Sequence, residues 1–339
     1  MEAARARTHF AKFVTGTLLA ASMVGIAFTA AIPPASAADS ALNIYFLAGA
    51  TSDPFMSTIK RGADDAGKAI AANGGSVHWL PLQDYGNIGP DLVKLLRSAS
   101  SSNPAAIVVP NWVPDAENPT LKEISSAGTP LILWNDSGND STAADGALYY
   151  IGSDNALGGK AAGEYMAKNG VKHILCINTN PGTAIQQARC SGLKAGAESA
   201  GGTETDLPLA PSNFGDQTAI SQAIKAALLK DSSIDGVVTL TLQDADITVS
   251  ALSQAGLTDK VKLGTFDLNS AVLSRIQGGT QMVAIDQNGY LQGYLGVSLA
   301  FQYAKWGMKL PEMNLLTGPA LITKDNVAAA LAGAKEGVR

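Results

Sequence analysis

From Leu42 onward, short runs of β-branched and other apolar residues alternate with longer stretches whose apolar positions recur every three or four residues. The short runs starting at Leu42, Ser76, Ala106, Pro130 and Ala147 read as strands. Between the first two, Phe55, Ile59, Ala63, Ala66 and Ile70 share one helical face. Pro54 suits the first turn of that helix, Asp53 stands where a cap would, and Asn73-Gly74-Gly75 stops it. The same rhythm restarts after Asp154, with strands from Lys172, Gly236 and Val261 and helices over 155–169, 183–200, 216–230 and 244–255.

Strand and helix alternating in this way predict parallel sheets covered by helices on both faces. A polar stretch rich in Gly and Asp near 137–147 interrupts the rhythm. Two doubly wound α/β lobes are therefore expected, with a single eight-stranded barrel as the structural alternative.

The chain before Leu42 does not follow this pattern. Arg5, Arg7 and Lys12 precede an apolar, uncharged run over 13–32, and Ala35-Ser36-Ala37 supplies the small residues that signal peptidase reads. Residues 1–37 are expected to be a signal peptide, with the mature protein starting at Ala38 in the periplasm or another extracytoplasmic space. A retained membrane anchor is the alternative. The 339 residues are 46% hydrophobic, enough for one large core or two medium ones. The formal net charge of −5 argues against a nucleic-acid partner. Cys176 and Cys190 are the two cysteines. Export makes a disulfide between them the first reading, and two buried thiols the other. Neither His78 nor His173 stands at zinc-ligand spacing from both, so no metal site is expected.

In open parallel sheets, ligands sit beyond the carboxyl ends of the strands. The segments there begin at Thr51, Asn111, Asn135, Asn178, Leu242, Asp267 and Asp286, and each carries Asn, Asp or Gln, several with an aromatic nearby. Directional polar groups beside flat apolar faces suit a polyhydroxylated ligand. The same residue types also cap helices and make turns, so Asp53 and Asn155 have that simpler reading as well.

At these loops the chain resembles the type I periplasmic binding proteins, in the ribose-binding branch that serves ABC transporters of sugars and polyols. The most specific stretch runs VKLGTFDLNSAVLSRIQGGTQMVAIDQNGYLQGYLGV from Val261, with support from SDPFMSTIKRGA at Ser52, IGSDNALGGKAAGEYM at Ile151, TAIQQARCSGL at Thr183 and LTGPALITKDNV at Leu316. The resemblance implies a three-stranded hinge with crossings near Gly152, Gln287 and Gly318. Lobe 1 would then be 38–152 plus 288–318, and lobe 2 would be 153–287 plus 319–339. It implies a binding protein without cofactor, a monomer that delivers a small neutral sugar or polyol to an ABC transporter permease. A receptor feeding a signalling partner is the alternative.

The resemblance carries ligand roles to Asp53, Phe55, Met56, Asn135, Asp136, Arg189, Phe214, Asp267 and Gln287. Met56 stands where the family has a second aromatic, and Asn135-Asp136 where it has Asp-Arg. Both departures lean away from ribose itself. Arg189 and Asp267 are expected to grip hydroxyls from different sides, with Gln287 donating and accepting and Phe214 covering an apolar face. Asn111, Trp112, Asp115, Trp134 and Gln243 are weaker candidates. An enzyme is disfavoured: G-x-S-x-G, H-E-x-x-H and P-loop motifs are all lacking. A repressor of this shape would need a DNA-reading helix pair where the export signal stands.

Overall fold

The computed structural model describes residues 42–136, 142, 145–213, 215–310 and 313–339. The leader, most of the polar interruption and Phe214 lie outside the described residues. Twelve strands among them form two six-stranded sheets rather than one closed barrel.

The first sheet takes β1 (Leu42–Ala48), β2 (Gly75–Pro81), β3 (Ala106–Val109), β4 (Leu131–Trp134), β5 (Tyr149–Ser153) and β11 (Leu315–Gly318) in the order β11-β5-β4-β3-β1-β2. The second takes β6 (His173–Asn178), β7 (Thr203–Pro208), β8 (Gly236–Thr239), β9 (Lys262–Phe266), β10 (Val283–Asp286) and β12 (Ala320–Ile322) in the order β12-β10-β9-β8-β6-β7. Every pairing is parallel except that of β12 with β10. Interior strands β3, β4, β8 and β10 are buried along their whole length, as strands covered by helices on both faces must be. The chain passes between sheets three times: after Ser153, after Asp286, and between Gly318 and Ala320.

Among the described residues, ten α-helices cover these sheets: α1 (Phe55–Ala71), α2 (Ile88–Ser101), α3 (Pro114–Ser126), α4 (Asn155–Lys168), α5 (Ala184–Ser199), α6 (Gln217–Lys230), α7 (Leu242–Ala255), α8 (Ser270–Gly278), α9 (Gly289–Trp306) and α10 (Val327–Lys335). Two pairs approach unusually closely. A Cβ built on Gly62 of α1 would stand 2.0 Å from the Tyr290 carbonyl oxygen, and one on Gly293 of α9 would stand 2.0 Å from that of Ile59. Between α4 and α5, Gly159, Gly163, Gly192 and Gly196 play the same part, each with a backbone oxygen at 2.0–2.2 Å from the Cβ it lacks. Arg189 and Cys190 ride on α5, so this contact fixes where both stand.

Cys176 of β6 and Cys190 of α5 are joined in a disulfide, with Cα atoms 5.9 Å apart and a sequence separation of 14. By the chain-entropy account, closing a loop of about 15 residues stabilises the fold by roughly 3 kcal/mol. The bond ties the helix that carries Arg189 to the sheet beneath it.

Candidate functional site

The carboxyl ends of the two sheets face each other across a cavity lined from both sides. From the first lobe, Asp53, Phe55, Met56, Tyr85, Ile88, Trp112 and Asn135 line it. From the second come Asn180, Thr183, Ile185, Gln186, Arg189, Leu240, Thr241, Asp267 and Gln287. The lobes also touch directly, the Ala184 amide donating to the Trp112 carbonyl at 3.0 Å.

Arg189 is the centre of the polar side. Its Nε donates to Asn155 Oδ1 at 2.8 Å, one Nη to the Leu240 carbonyl at 2.7 Å and the other to Gln287 Oε1 at 2.8 Å. The guanidinium also lies over the Phe266 ring, 4.4 Å from its centroid. Gln287 passes the connection on, its Nε2 donating to Asp267 Oδ1 at 2.6 Å. Asp53 faces them from the other lobe, held by the Phe55 amide at 3.0 Å on one oxygen and the Tyr85 hydroxyl at 2.9 Å on the other.

Burial shapes the charges of this group. It pushes the Asp267 carboxyl up to about 7, against the pull of Arg189 and the Gln287 hydrogen bond. It also raises Asp53, and it lowers Arg189 against the pull of both carboxylates. Three amide oxygens on the cavity wall, those of Asn135, Asn180 and Gln186, are buried and have no protein partner. Buried acceptors are almost always satisfied, so three around one cavity mark where donors from a ligand belong. Backbone geometry adds a second sign. Asn135 and Asp267 hold φ of 43° and 65°, a left-handed conformation that costs free energy in residues other than glycine and clusters at functional sites.

Of the residues expected from sequence, Asp53, Phe55, Met56, Asn135, Arg189, Asp267 and Gln287 line the cavity together. Asp136 does not. It is fully buried behind the wall, where its carbonyl accepts from Asn155 Nδ2 at 2.8 Å. The expectation that Arg189 and Asp267 act from different sides needs correction. Both belong to the second sheet's lobe, and Gln287 bridges them. Among the weaker candidates, Trp112 lines the cavity, whereas Trp134 is core and Asp115 is exposed. Asn111 is bonded to Asn118 and Asp145, and Gln243 lines a separate groove.

Several lining residues escaped the sequence reading. Asn180 and Gln186 fall inside segments singled out there, whereas Tyr85 stands in the loop after β2 and Ile88 just beyond it; that loop carries the same kind of signal in Gln83, Asp84 and Asn87 and was passed over. Asn155 has a role beyond a cap: Asp154 caps α4, and Asn155 orients Arg189.

Residues 44–309 match the family profile of the periplasmic binding protein domain. The chain belongs to that family. It is a binding protein, not an enzyme. Its fold is similar to that of a carbohydrate transporter protein from Acidothermus cellulolyticus in complex with myo-inositol, at 30% identity and a TM-score of 0.78, covering 88% of this chain and 99% of that one. A solute-binding protein from Agrobacterium vitis bound with α-D-tagatopyranose matches at 26% identity and a TM-score of 0.71, covering 86% and 98%. A xylose/arabinose-binding protein from Sulfolobus acidocaldarius is 23% identical over 298 residues, 84% of this chain and 71% of that protein.

In this binding protein a further buried acid stands behind the cavity wall. Glu117 of α3 turns back so that its two oxygens accept from the Val113 amide at 2.9 Å and the Trp112 amide at 3.2 Å, holding the loop that presents Trp112. Burial pushes its carboxyl up to about 8, against those two bonds and with help from Asp136 and Asp145. An acid whose pKa rises on folding binds its proton more tightly when folded, so its contribution to stability is greatest below the unfolded value and is lost as pH rises. Stability is expected to fall between about pH 4.5 and 8, by at most about 1.4 kcal/mol per pH unit from this group. Denaturant unfolding across that range checks it; Glu117→Gln should flatten the slope, and an unchanged slope would discount the assignment.

Proposed function

We propose that this protein captures a small neutral sugar or polyol outside the cytoplasm by closing its two lobes over it, and delivers it to an ABC transporter permease. The observation that carries the reading is the set of unpartnered amide oxygens of Asn135, Asn180 and Gln186 around a cavity that also holds the linked Arg189, Gln287 and Asp267. Hydroxyls both donate and accept, so a polyol satisfies the orphan acceptors and still accepts from the guanidinium. Phe55, Met56 and Trp112 offer apolar surface to its C–H faces. The sugar and inositol complexes of the similar proteins support this ligand class.

The lobes in this reading are 38–152 plus 288–318, and 153–287 plus 319–339, turning about the three crossings. Since ligand touches both, it binds the closed state better and shifts the population towards it. A dissociation constant near 1 μM requires about 8 kcal/mol, within reach of several charge-assisted hydrogen bonds after ordering costs.

Calorimetric titration with myo-inositol, D-arabinose, D-tagatose and D-xylose tests the reading. Saturable binding of one without turnover is expected; silence across a full panel of neutral sugars and polyols would remove it. Export is read from the leader, and among the described residues no helix is long and apolar enough to cross a membrane. Mass spectrometry of the exported protein should find Ala38 at the amino terminus, and an intact leader would refute the cleavage site.

A further inference from the structure

The disulfide has unusual company. Among the described residues, the Sγ atoms of Cys176 and Cys190 and a carboxylate oxygen from each of Glu204 and Asp206 all lie within 4.8 Å of one another. The topology explains the cluster. β7 pairs in parallel with β6 so that Asp206 stands beside Cys176 and Glu204 beside Ile174. Glu204 and Asp206, two residues apart on a strand, share the face on which Cys176 meets Cys190 of α5. As the outermost strand of its sheet, β7 opens this corner to solvent through the exposed Asp206.

The disulfide alone gives no reason for two acids to be pressed against it. One oxygen of Glu204 is buried without a hydrogen-bond partner. The pair is poorly served by its present surroundings, and a cation would serve it.

We propose that this corner is a redox-gated metal site: with Cys176 and Cys190 reduced, their thiolates and the carboxylates of Glu204 and Asp206 hold one divalent cation of the zinc class. Two sulfurs and two oxygens make a four-coordinate set of the kind zinc takes, with Zn–S near 2.3 Å and Zn–O near 2.0–2.2 Å. Ligand atoms within 4.8 Å of each other need only small shifts to close on a shared ion. Reduction requires an external dithiol. The Cys176–Cys190 bond breaks, two electrons and two protons pass from the dithiol to the protein sulfurs, and the dithiol's own sulfurs join as a disulfide. Metal binding then releases the two thiol protons to solvent. The ion takes over the disulfide's task of pinning α5 to β6, and so keeps Arg189, the neighbour of Cys190, in place when the covalent link is open.

Cobalt(II) serves as the probe. Protein is reduced with a dithiol, freed of it without oxygen, and titrated with cobalt while thiolate-to-cobalt absorption is followed. One equivalent should bind, zinc should displace it, and oxidised protein should show no band. Combining Glu204→Gln with Asp206→Asn should weaken cobalt binding by at least the roughly 10–100-fold that losing an outer-shell partner costs. A chain unfolded by reduction binds through thiols alone and is indifferent to those carboxylates. Equal affinity in the variant therefore overturns the proposal, as does a band in oxidised protein or none in the reduced form.

Discussion

Replacing Asp267 by Ala is expected to weaken sugar or polyol binding by about 2–5 kcal/mol, roughly 30- to 4,000-fold in dissociation constant. Truncation removes the acceptor that ends the Arg189–Gln287–Asp267 chain, freeing Gln287 Nε2 from its 2.6 Å bond and leaving a buried guanidinium with less opposing charge. Burial already pushes the Asp267 carboxyl up to about 7, so its loss also relieves a desolvation penalty in the unliganded protein. That relief acts on folding, so the fold stays intact and the loss appears in binding. Arg189→Ala should cost more, because three bonds within the protein go with it. Arg189→Lys should not rescue it, since an ammonium cannot reproduce the fork that reaches Asn155, Leu240 and Gln287 at once. Calorimetry with a confirmed ligand, alongside circular dichroism of each variant, decides the matter. Variants that stay folded and bind as tightly as the parent would remove both residues from the site.

Gly192→Ala is expected to destabilise the protein by about 1–3 kcal/mol or more, as overpacking does. The new methyl would stand 2.1 Å from the Ala156 carbonyl oxygen and 3.0 Å from the Lys160 amide nitrogen, both backbone atoms of α4. A side chain can swing aside from such a contact, but a helix backbone moves only as a unit. The two helices must part, and Arg189 moves with α5, so binding should weaken as well. Gly278→Ala is the control, since a methyl there meets nothing within 4 Å. Calorimetric melting should show a drop of about 2–4 °C per kcal/mol if each lobe behaves as a domain of 150–250 residues. Equal melting temperatures for Gly192→Ala and Gly278→Ala would show that the helices separate without cost.

The alternation of apolar strands and amphipathic helices was legible because strands covered on both faces must be apolar along their length, as β3, β4 and β8 are. β7 was missed for the opposite reason. It is an edge strand, Thr-Glu-Thr-Asp-Leu-Pro, whose exposed positions free it from that pattern. β11 and β12 are short and flank the last crossing, where neighbours rather than periodicity decide pairing. The spacing Gly159-x-x-x-Gly163 and Gly192-x-x-x-Gly196 was visible, but only the packed helices show that the two patterns face each other.

The sequence by itself determined the two-lobed α/β architecture, the polar residues at the strand ends and the cysteines available to pair, because each is written in local periodicity, turn chemistry or residue count. Tertiary structure alone decided which polar groups share a wall. It put Arg189 and Asp267 on one lobe with Gln287 between them, buried Asp136 behind the wall, and brought Tyr85 and Asn180 to the cavity from polar loops whose sequence does not say which residue lines it. It also left three amide oxygens without partners and set Glu204 and Asp206 against the disulfide. The physical reason is that burial and hydrogen-bond satisfaction depend on atoms far apart in the chain, and these set the charge and the unmet valences of a site.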